Sequence, residues 1–156
     1  MLVMWFSEPE VARWWHPPTD IEEVRSKYLP RIDGLDATTM WIVEIETQPA
    51  GLLQTYRHAD YPTHDQAVGI ENAAGIDYLL AGSHRGRGYG GPVLQKFAVF
   101  VLDHYRDLVC CVATPAQTNT PSLRALERAG FSRVHDCQPP GEPRAYAYAY
   151  PRNEEN

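Results

Sequence analysis

The chain is poor in cysteine, has no long apolar run and has fewer basic than acidic residues. Each of these shortages argues against a class of protein. Its three cysteines, Cys110, Cys111 and Cys137, are odd in number and have no zinc-ligand spacing, which argues against a disulfide framework or a structural metal. We expect free thiols in a cytoplasmic protein. No apolar run approaches the roughly 18–20 residues of a membrane span. The apolar start, residues 1–7, is too short for a signal peptide and lacks a basic region.

The charge balance restricts the partners. Lys and Arg number 14 against 20 Asp and Glu, a net charge of −6, which disfavours nucleic acid and mildly favours a cationic small molecule. Hydrophobic residues make up 44% and charged residues 22%, as in an ordinary folded protein. We predict one domain over residues 1–156, with a disordered tail from about residue 151, and no membrane or metal partner.

Hydrophobic periodicity and turn residues predict a mixed α/β fold of the order α-α-β-β-β-α-β-α-β-β. The predicted helices cover about residues 8–15 after a capping Ser7, residues 19–32, about 88–106 and 118–128. The predicted strands cover residues 38–46, 52–58, 73–82, 108–113, 131–137 and 145–150. Residues 60–72 are predicted to be a polar connection.

A glycine-rich turn, Arg85-Gly86-Arg87-Gly88-Tyr89-Gly90, lies between a predicted strand and a predicted helix. It lacks the Gly-x-Gly-x-x-Gly spacing of a dinucleotide site, and the chain has no Gly-Lys-Ser/Thr of a P-loop. Glycines let the backbone approach a ligand closely, and the following helix N-terminus offers N–H groups to an anion. The turn is therefore predicted to hold a phosphate group.

A second motif, Asn119 to Phe131, contains Asn-x-x-Ser-x-x-x-x-Glu-x-x-Gly-Phe. Together with Arg-x-x-Gly-x-Gly and the element order, it resembles the GNAT acetyltransferase superfamily. The resemblance implies a GNAT-like acyltransferase fold whose usual first strand is missing, and acetyl-CoA as co-substrate without a metal. An edge left open in this way invites pairing, so a homodimer is possible.

Within that superfamily the chain is similar to the aminoglycoside 6'-N-acetyltransferases. The similarity extends from about Trp5 to Phe131 and is carried by Arg13-Trp14-Trp15, by a helix ending Tyr28-Leu29-Pro30, by residues 49–56 and by Gly75-Ile76-Asp77-Tyr78-Leu79-Leu80. It implies acetyl transfer to an amino group of an aminoglycoside antibiotic by direct attack in a ternary complex, an antibiotic-resistance activity. Acyltransferases of siderophore biosynthesis share part of the pattern, and acetyltransferases of protein N-termini share it more distantly.

Acetyl transfer from a thioester requires a deprotonated amine held in attack geometry, a donor for the developing oxyanion, and in some cases a proton for the leaving thiolate. By resemblance, Asp77 faces the amine as a proton acceptor or electrostatic anchor, and the backbone N–H near Leu80 polarises the thioester carbonyl. Glu71 is a second acidic candidate, and His58 and His64 are weaker candidates for the base. His84 precedes the glycine turn and is interpreted as a solvated turn residue.

The remaining candidates divide between cofactor and acceptor. By resemblance, the cofactor is held by the strand backbone, the glycine turn and the second motif: Leu79, Leu80, Ala81, Arg85, Gly86, Arg87, Gly88, Tyr89, Gly90, Gly91, Asn119 and Ser122. The acceptor candidates are aromatic or polar residues: Trp14, Trp15, Gln54, Tyr56, Glu71, Asp77 and Tyr78. Each aromatic residue among them is also compatible with plain core packing.

The chain departs from the resembled enzymes at two positions. Leu126 stands where many members have a tyrosine that protonates the thiolate, and Thr114 stands where the aminoglycoside enzymes have an aspartate. Two alternatives therefore stay open. One is acylation of a siderophore precursor or a lysine-derived amine or hydroxylamine, and the other is a non-catalytic protein that binds CoA.

Overall fold

The first third of the chain is helical. The computed structural model describes residues 1–153, and the N-terminal helices are α1 (Leu2–Phe6), α2 (Pro9–Trp15) and α3 (Ile21–Ile32). His16 ends α2 in a left-handed conformation, and two prolines follow that cannot continue a helix. Asp20 caps α3, because its carboxylate accepts from the backbone N–H groups of Glu22 and Glu23.

Six strands form one mixed sheet in the order β1-β2-β3-β4-β6-β5. Their bounds are β1 (Thr39–Ile45), β2 (Gln48–Arg57), β3 (Ala73–Leu80), β4 (Cys110–Ala113), β5 (Ser132–Cys137) and β6 (Ala145–Pro151). β3 and β4 pair in parallel, and the other neighbouring strands pair antiparallel. β3 is central and connects to β4 through a helix, as a parallel pair requires.

Three further helices connect the strands. A 3₁₀ turn (His58–Asp60) leads into α4 (Pro62–Val68), α5 (Gly90–His104) joins β3 to β4, and α6 (Thr120–Ala129) joins β4 to β5. None of the helices within residues 1–153 is both long and apolar enough to cross a membrane.

Each face of the sheet has its own apolar cluster. On one face, Leu52 and Leu79 pack with Phe6, Val24 and Tyr28 of the N-terminal helices. On the other face, a larger cluster joins alternate strand residues to α5 and α6, including Leu53, Ile76, Leu94, Phe97 and Leu126. Side chains alternate along a strand, so Asp77 lies on the α1–α3 face and Tyr78 on the α5–α6 face.

The predicted fold class is confirmed, and two helices were missed. α1 is only five residues long, and α4 lies in the segment predicted to be a polar connection. α4 is short and has few apolar residues, so periodicity gave little signal. β2 begins at Gln48 rather than Leu52, since the predicted turn at Pro49 is already part of the ladder with β1.

The predicted disordered tail needs a partial correction. Pro151 is the last residue of β6, and the Arg152 guanidinium donates to the carbonyls of Leu102, Tyr105 and Leu108 at 2.5, 2.8 and 3.0 Å. These contacts fix the chain to the end of α5. Residues 154–156 of the predicted tail lie outside the described residues.

Candidate active site

The central strand β3 has an open edge along its second half. β4 pairs with β3 only at residues 73–75, whereas β2 pairs with β3 along residues 74–80. The Ala81 N–H donates to the Ala50 carbonyl at 2.7 Å. Since hydrogen-bonded pairs alternate in an antiparallel ladder, the backbone groups of Asp77 and Leu79 point to β2, and those of Tyr78 and Leu80 point to the open edge.

The glycine turn follows directly after this edge. Gly86 and Gly88 have φ of +71° and +82°, in the left-handed region that glycine adopts without steric cost. A Cβ built on either residue meets no atom within 4 Å, so the space around them is open. α5 then begins at Gly90, and no side chain caps its N-terminus. The first N–H groups of α5 are therefore available to a ligand.

The two arginines of the turn have different surroundings. The Arg85 guanidinium is 2.6 Å from the Glu8 carboxylate and donates to the Leu80 carbonyl at 2.9 Å. It thereby ties the turn to the N-terminus of α2. Arg87 is exposed, with one long contact of 3.3 Å to the Ser83 carbonyl. Arg87 is consequently the arginine better placed to meet an anionic ligand.

Gly90 and Gly91 also serve packing between helices. A Cβ at Gly90 would lie 3.2 Å from the Ala125 Cβ, and one at Gly91 would lie 3.0 Å from the Arg128 Cβ. The small residues let the start of α5 approach α6 closely. This contact brings the glycine turn and the second motif to the same side of the open edge.

Asn119 and Ser122 lie at the start of α6, as the second motif predicts. The Asn119 carboxamide oxygen accepts from the Ser122 N–H at 3.4 Å and so caps the helix. Its NH₂ group is left for other partners. The Ser122 hydroxyl shares a short hydrogen bond with the Tyr78 hydroxyl, which connects β3 to α6.

Asp77 lies on the α1–α3 face, beside the open edge. The pKa of Asp77 is raised to about 6, mainly by burial and also by the charge of Glu142, while Arg31 and Lys27 oppose the shift. A carboxyl group with this pKa is a better proton acceptor than an ordinary aspartate near neutral pH. Glu142 belongs to the loop between β5 and β6, so that loop brings a second carboxylate towards Asp77.

Gln54 is paired directly opposite Asp77 on β2 and is 1% exposed. Its carbonyl oxygen accepts from the Arg31 guanidinium at 2.5 Å. Arg31 also lies 3.7 Å from the Asp36 carboxylate and over the Tyr28 ring. The Gln54 oxygen is thus already used inside the protein, and a positive charge stands beside Asp77.

The predicted aromatic residues are dispersed. Trp15 contacts the Tyr28 hydroxyl through its indole N–H at 3.3 Å, and Tyr28 is close enough to Asp77 for the carboxylate to affect its pKa. Tyr56 is buried on the face of Asp77, and its ring occupies the space that a Cβ on Gly75 would need. The Arg13 guanidinium lies over the Trp14 ring at 4.7 Å.

Two predicted acceptor residues are not placed beside Asp77. Tyr78 projects from the opposite face of β3 because side chains alternate along a strand. Glu71 is exposed and precedes β3, so Asp77 lies more than about 13 Å further along the strand. In place of these two residues, the structure brings Glu142, Arg31 and Tyr28 to Asp77.

The three histidines considered from the sequence lie in two places, His58 and His64 together at the 3₁₀ turn and α4, and His84 beside the glycine turn. His58 is 1% exposed, and its ring is 5.4 Å from that of His64. Burial and the neighbouring His64 lower the pKa of His58 to about 4, so this ring is neutral at pH 7. His84 is buried in the glycine turn, with Nδ1 at 2.8 Å from the Ser83 hydroxyl. Its place in the turn favours a structural role.

The departure at Leu126 keeps its meaning in three dimensions. Leu126 is fully buried in the α5–α6 cluster and offers no proton.

Among residues 1–153, no group of three or more His, Cys, Asp or Glu side chains is arranged to hold a metal ion. The site is therefore built from an open strand edge, a helix N-terminus and Asp77 with charges of both signs near it.

Comparison with known proteins agrees with this arrangement. Residues 1–138 match the model of the acetyltransferase (GNAT) domain, and the chain belongs to this family. Two relatives, the aminoglycoside N(6')-acetyltransferases type 1 of Klebsiella pneumoniae and Serratia marcescens, are each 26% identical over 155 residues. These alignments cover 94% of this chain and 75% of the relative.

The fold is similar to solved structures of the same class. A structure of the aminoglycoside acetyltransferase AAC(6')-Ib in complex with coenzyme A and kanamycin matches with a TM-score of 0.80 and 25% identity, over 97% of this chain and 88% of the other. A spermidine N-acetyltransferase of Vibrio cholerae matches with a TM-score of 0.69 and 14% identity, over 95% and 85% of the two chains. The second similarity concerns the fold alone.

Proposed function

We propose that the protein is an acetyl-CoA-dependent N-acetyltransferase that modifies an amino group of an aminoglycoside. The position that we propose is the 6'-amino group. The observation that carries this proposal is the Asp77 carboxylate, which has a raised pKa and stands on the central strand beside the open edge. Membership of the acetyltransferase family and the named activity of the two relatives support it.

The cofactor is proposed to bind along the open edge and the glycine turn. The pantetheine arm extends β3 as an added strand, and its amides pair with the backbone groups of Tyr78, while the Leu80 N–H faces the thioester and the Leu80 carbonyl stays bonded to Arg85. This geometry favours Tyr78 and Leu80 over Leu79 and Ala81, since the Ala81 N–H is used by β2. The pyrophosphate meets the turn and the N-terminus of α5, with Arg87 adding charge, and Asn119 contacts the arm from α6.

The proposed acetyl transfer uses the two faces of β3 beside its open edge. An acceptor amine on the α1–α3 face lies against Asp77, which holds the ammonium and takes a proton directly or through water. The neutral amine attacks the thioester carbonyl, and the Leu80 N–H stabilises the oxyanion. No covalent enzyme intermediate is needed, because both substrates meet at the edge.

The charges around Asp77 favour one alternative acceptor. The charges of Arg31, Lys27 and Glu142 all act on Asp77 or its neighbours. An amine that also carries a carboxylate therefore fits these charges, and so does a polycation. A lysine-derived amine or hydroxylamine, as in siderophore assembly, has this chemistry. The Arg31–Gln54 contact is the specific observation in its favour.

A panel of acceptors separates these functions. Purified protein is incubated with acetyl-CoA and either kanamycin, ribostamycin, spermidine, lysine or N6-hydroxylysine, and acetylated products are detected by mass spectrometry. We expect the highest kcat/KM with an aminoglycoside. Higher kcat/KM with the lysine derivatives would support the alternative, and acetyl-CoA binding without transfer to any amine would leave a non-catalytic CoA-binding role.

A homodimer remains part of the proposal. β1 is an edge strand of the sheet, and no second strand pairs with its outer edge in the described residues. Such edges pair readily with another chain. Light scattering coupled to size-exclusion chromatography should give the mass of a dimer, and a monomer mass at micromolar concentration would contradict this part.

A further inference from the structure

The leaving thiolate needs a proton, and the α6 residue that faces the core, Leu126, cannot supply one. A thioester sulfur departs with the bonding electron pair, and a nearby acid speeds that step. The donor must lie on the α5–α6 face of the open edge, because Asp77 and the acceptor occupy the opposite face. On that face the hydroxyl of Tyr78 is hydrogen-bonded to the Ser122 hydroxyl.

The position of this hydroxyl pair is informative. Tyr78 belongs to the part of β3 that β4 leaves unpaired, and Ser122 lies in the first turn of α6, on the other side of the same opening. A side chain on a helix covers the turn N-terminal to its own Cα. A side chain at position 126 therefore reaches the neighbourhood of Ser122, where the Tyr78 hydroxyl already stands.

We infer that Tyr78 is the proton donor to the departing CoA thiolate and that Ser122 positions its hydroxyl and returns the proton. The inference rests on the proposed acetyl transfer. The amine nitrogen forms a bond to the carbonyl carbon and the C–S bond breaks. The Tyr78 proton then moves to sulfur, and Ser122 reprotonates the phenolate and takes a proton from water. Asp77 has passed the first amine proton to water before the attack, so it is free to take the second amine proton.

The surroundings keep Tyr78 in the form that this role requires. Burial raises the pKa of Tyr78 above its ordinary value, the Ser122 hydrogen bond opposes that shift, and the charges of Asp77 and Tyr148 add to it. The phenol therefore carries its proton at neutral pH. The hydrogen bond to Ser122 gives the phenolate a partner as soon as the proton has moved.

The test compares single-turnover rates of three variants with the wild type, using kanamycin and acetyl-CoA. Tyr78→Phe should lower the rate by about 10²-fold, at the low end of general acid effects, while the dissociation constant of acetyl-CoA from calorimetry stays within about twofold. Ser122→Ala should lower the rate by about tenfold. The solvent deuterium isotope effect on the rate should shrink in both variants, because proton transfer to sulfur no longer passes through the pair.

Tyr148→Phe is the matched control. The Tyr148 hydroxyl also contacts α6, through Glu127 at 2.9 Å, so this variant removes a hydroxyl of the same core that is not hydrogen-bonded to Tyr78 or Ser122. Its rate should stay within about twofold of the wild type. An equal loss in Tyr148→Phe would show a structural effect and overturn the inference.

Two other results would also overturn it. A wild-type rate in Tyr78→Phe would exclude Tyr78 as the donor while leaving the acetyltransferase proposal intact. Tighter acetyl-CoA binding with an unchanged rate would show that the hydroxyl pair only blocks the edge. Absence of transfer by the wild type to any amine of the panel would remove the proposed function and this inference together.

Discussion

Asp77 and Tyr78 are consecutive in the chain, yet they lie on opposite faces of β3 and have different surroundings. Asp77 lies near Glu142, Arg31 and Lys27, which all affect its pKa. Tyr78 packs against the apolar cluster of α5 and α6 and has one hydroxyl partner. The strand alternation thus separates a face rich in charge, where we propose that the acceptor binds, from a face with little charge, where we propose that the cofactor reacts. Mutations should affect the two faces independently.

The largest expected effect is on the acceptor face. Asp77→Asn removes the proton acceptor and the anchor for the ammonium group, so kcat should fall at least about 10²-fold. The acetyl-CoA dissociation constant, measured by calorimetry, should not change, because the carboxylate lies on the other face. Asp103→Asn, an exposed carboxylate on α5, is the control and should keep wild-type kcat. Wild-type turnover in Asp77→Asn would remove Asp77 from the mechanism.

The same residue gives a prediction for stability. The pKa of Asp77 is raised from 3.8 to about 6, so the folded state holds this proton more tightly than the unfolded chain does. The binding of this proton stabilises the folded state fully below pH about 4, and the stabilisation is lost as the pH rises to about 6. Asp77→Asn should remove this loss and raise the free energy of unfolding at pH 7 by up to about 3 kcal/mol. Urea denaturation at pH 4 and pH 7 measures it, and an equal change at both pH values would contradict the raised pKa.

A smaller effect is expected on the cofactor side. The double variant Gly86→Ala and Gly88→Ala places side chains at φ of +71° and +82°, which costs about 1–2 kcal/mol per residue or moves the loop. Acetyl-CoA affinity should fall about tenfold, and the acceptor KM should not change. Gly34→Ala carries a similar strain, at φ +72° in open space at the end of α3, and should lower stability without changing acetyl-CoA affinity. An equal loss of acetyl-CoA affinity in the double variant and in Gly34→Ala would refute a specific role of the glycine turn in cofactor binding.

The smallest expected effect concerns acceptor choice. Arg31→Gln removes a positive charge beside Asp77 and keeps an amide donor for the Gln54 oxygen. The KM for kanamycin should fall several-fold because a polycation is no longer repelled, whereas the KM for lysine should rise. Arg25→Gln, an exposed change on the same helix, should affect neither. An unchanged ratio of the two KM values would show that Arg31 does not discriminate between acceptors by their charge.

The fold class and the cofactor side could be predicted because their signals are local. Arg85 to Gly91 combine turn residues with a helix start, and Asn119 with Ser122 forms a cap within four residues. The short helices α1 and α4 escaped prediction because five and seven residues give too little periodicity. The contact of Arg85 with Glu8 escaped as well, since an ion pair between distant segments leaves no local pattern.

The acceptor side was predictable only in part. Gly75-Ile76-Asp77 marked the carboxylate, but Glu71 was chosen for its nearness in sequence and lies at the far end of β3. Glu142 comes from a proline-rich loop and reaches Asp77 through the folding of β5 and β6. Arg31 reaches Gln54 from the end of α3. No spacing rule connects these residues.

The sequence by itself determined the order of the strands and of the longer helices, the glycine-rich turn and the strand that carries Asp77, because each depends on a few neighbouring residues. Only the tertiary structure decided what stands around that strand. The splitting of β3 from β4 after Gly75 opens the edge, and alternation along β3 directs Asp77 to the charged residues on one face and Tyr78 to Ser122 on the other. These arrangements depend on packing between segments far apart in the chain, where burial and charge set the chemistry of the side chains.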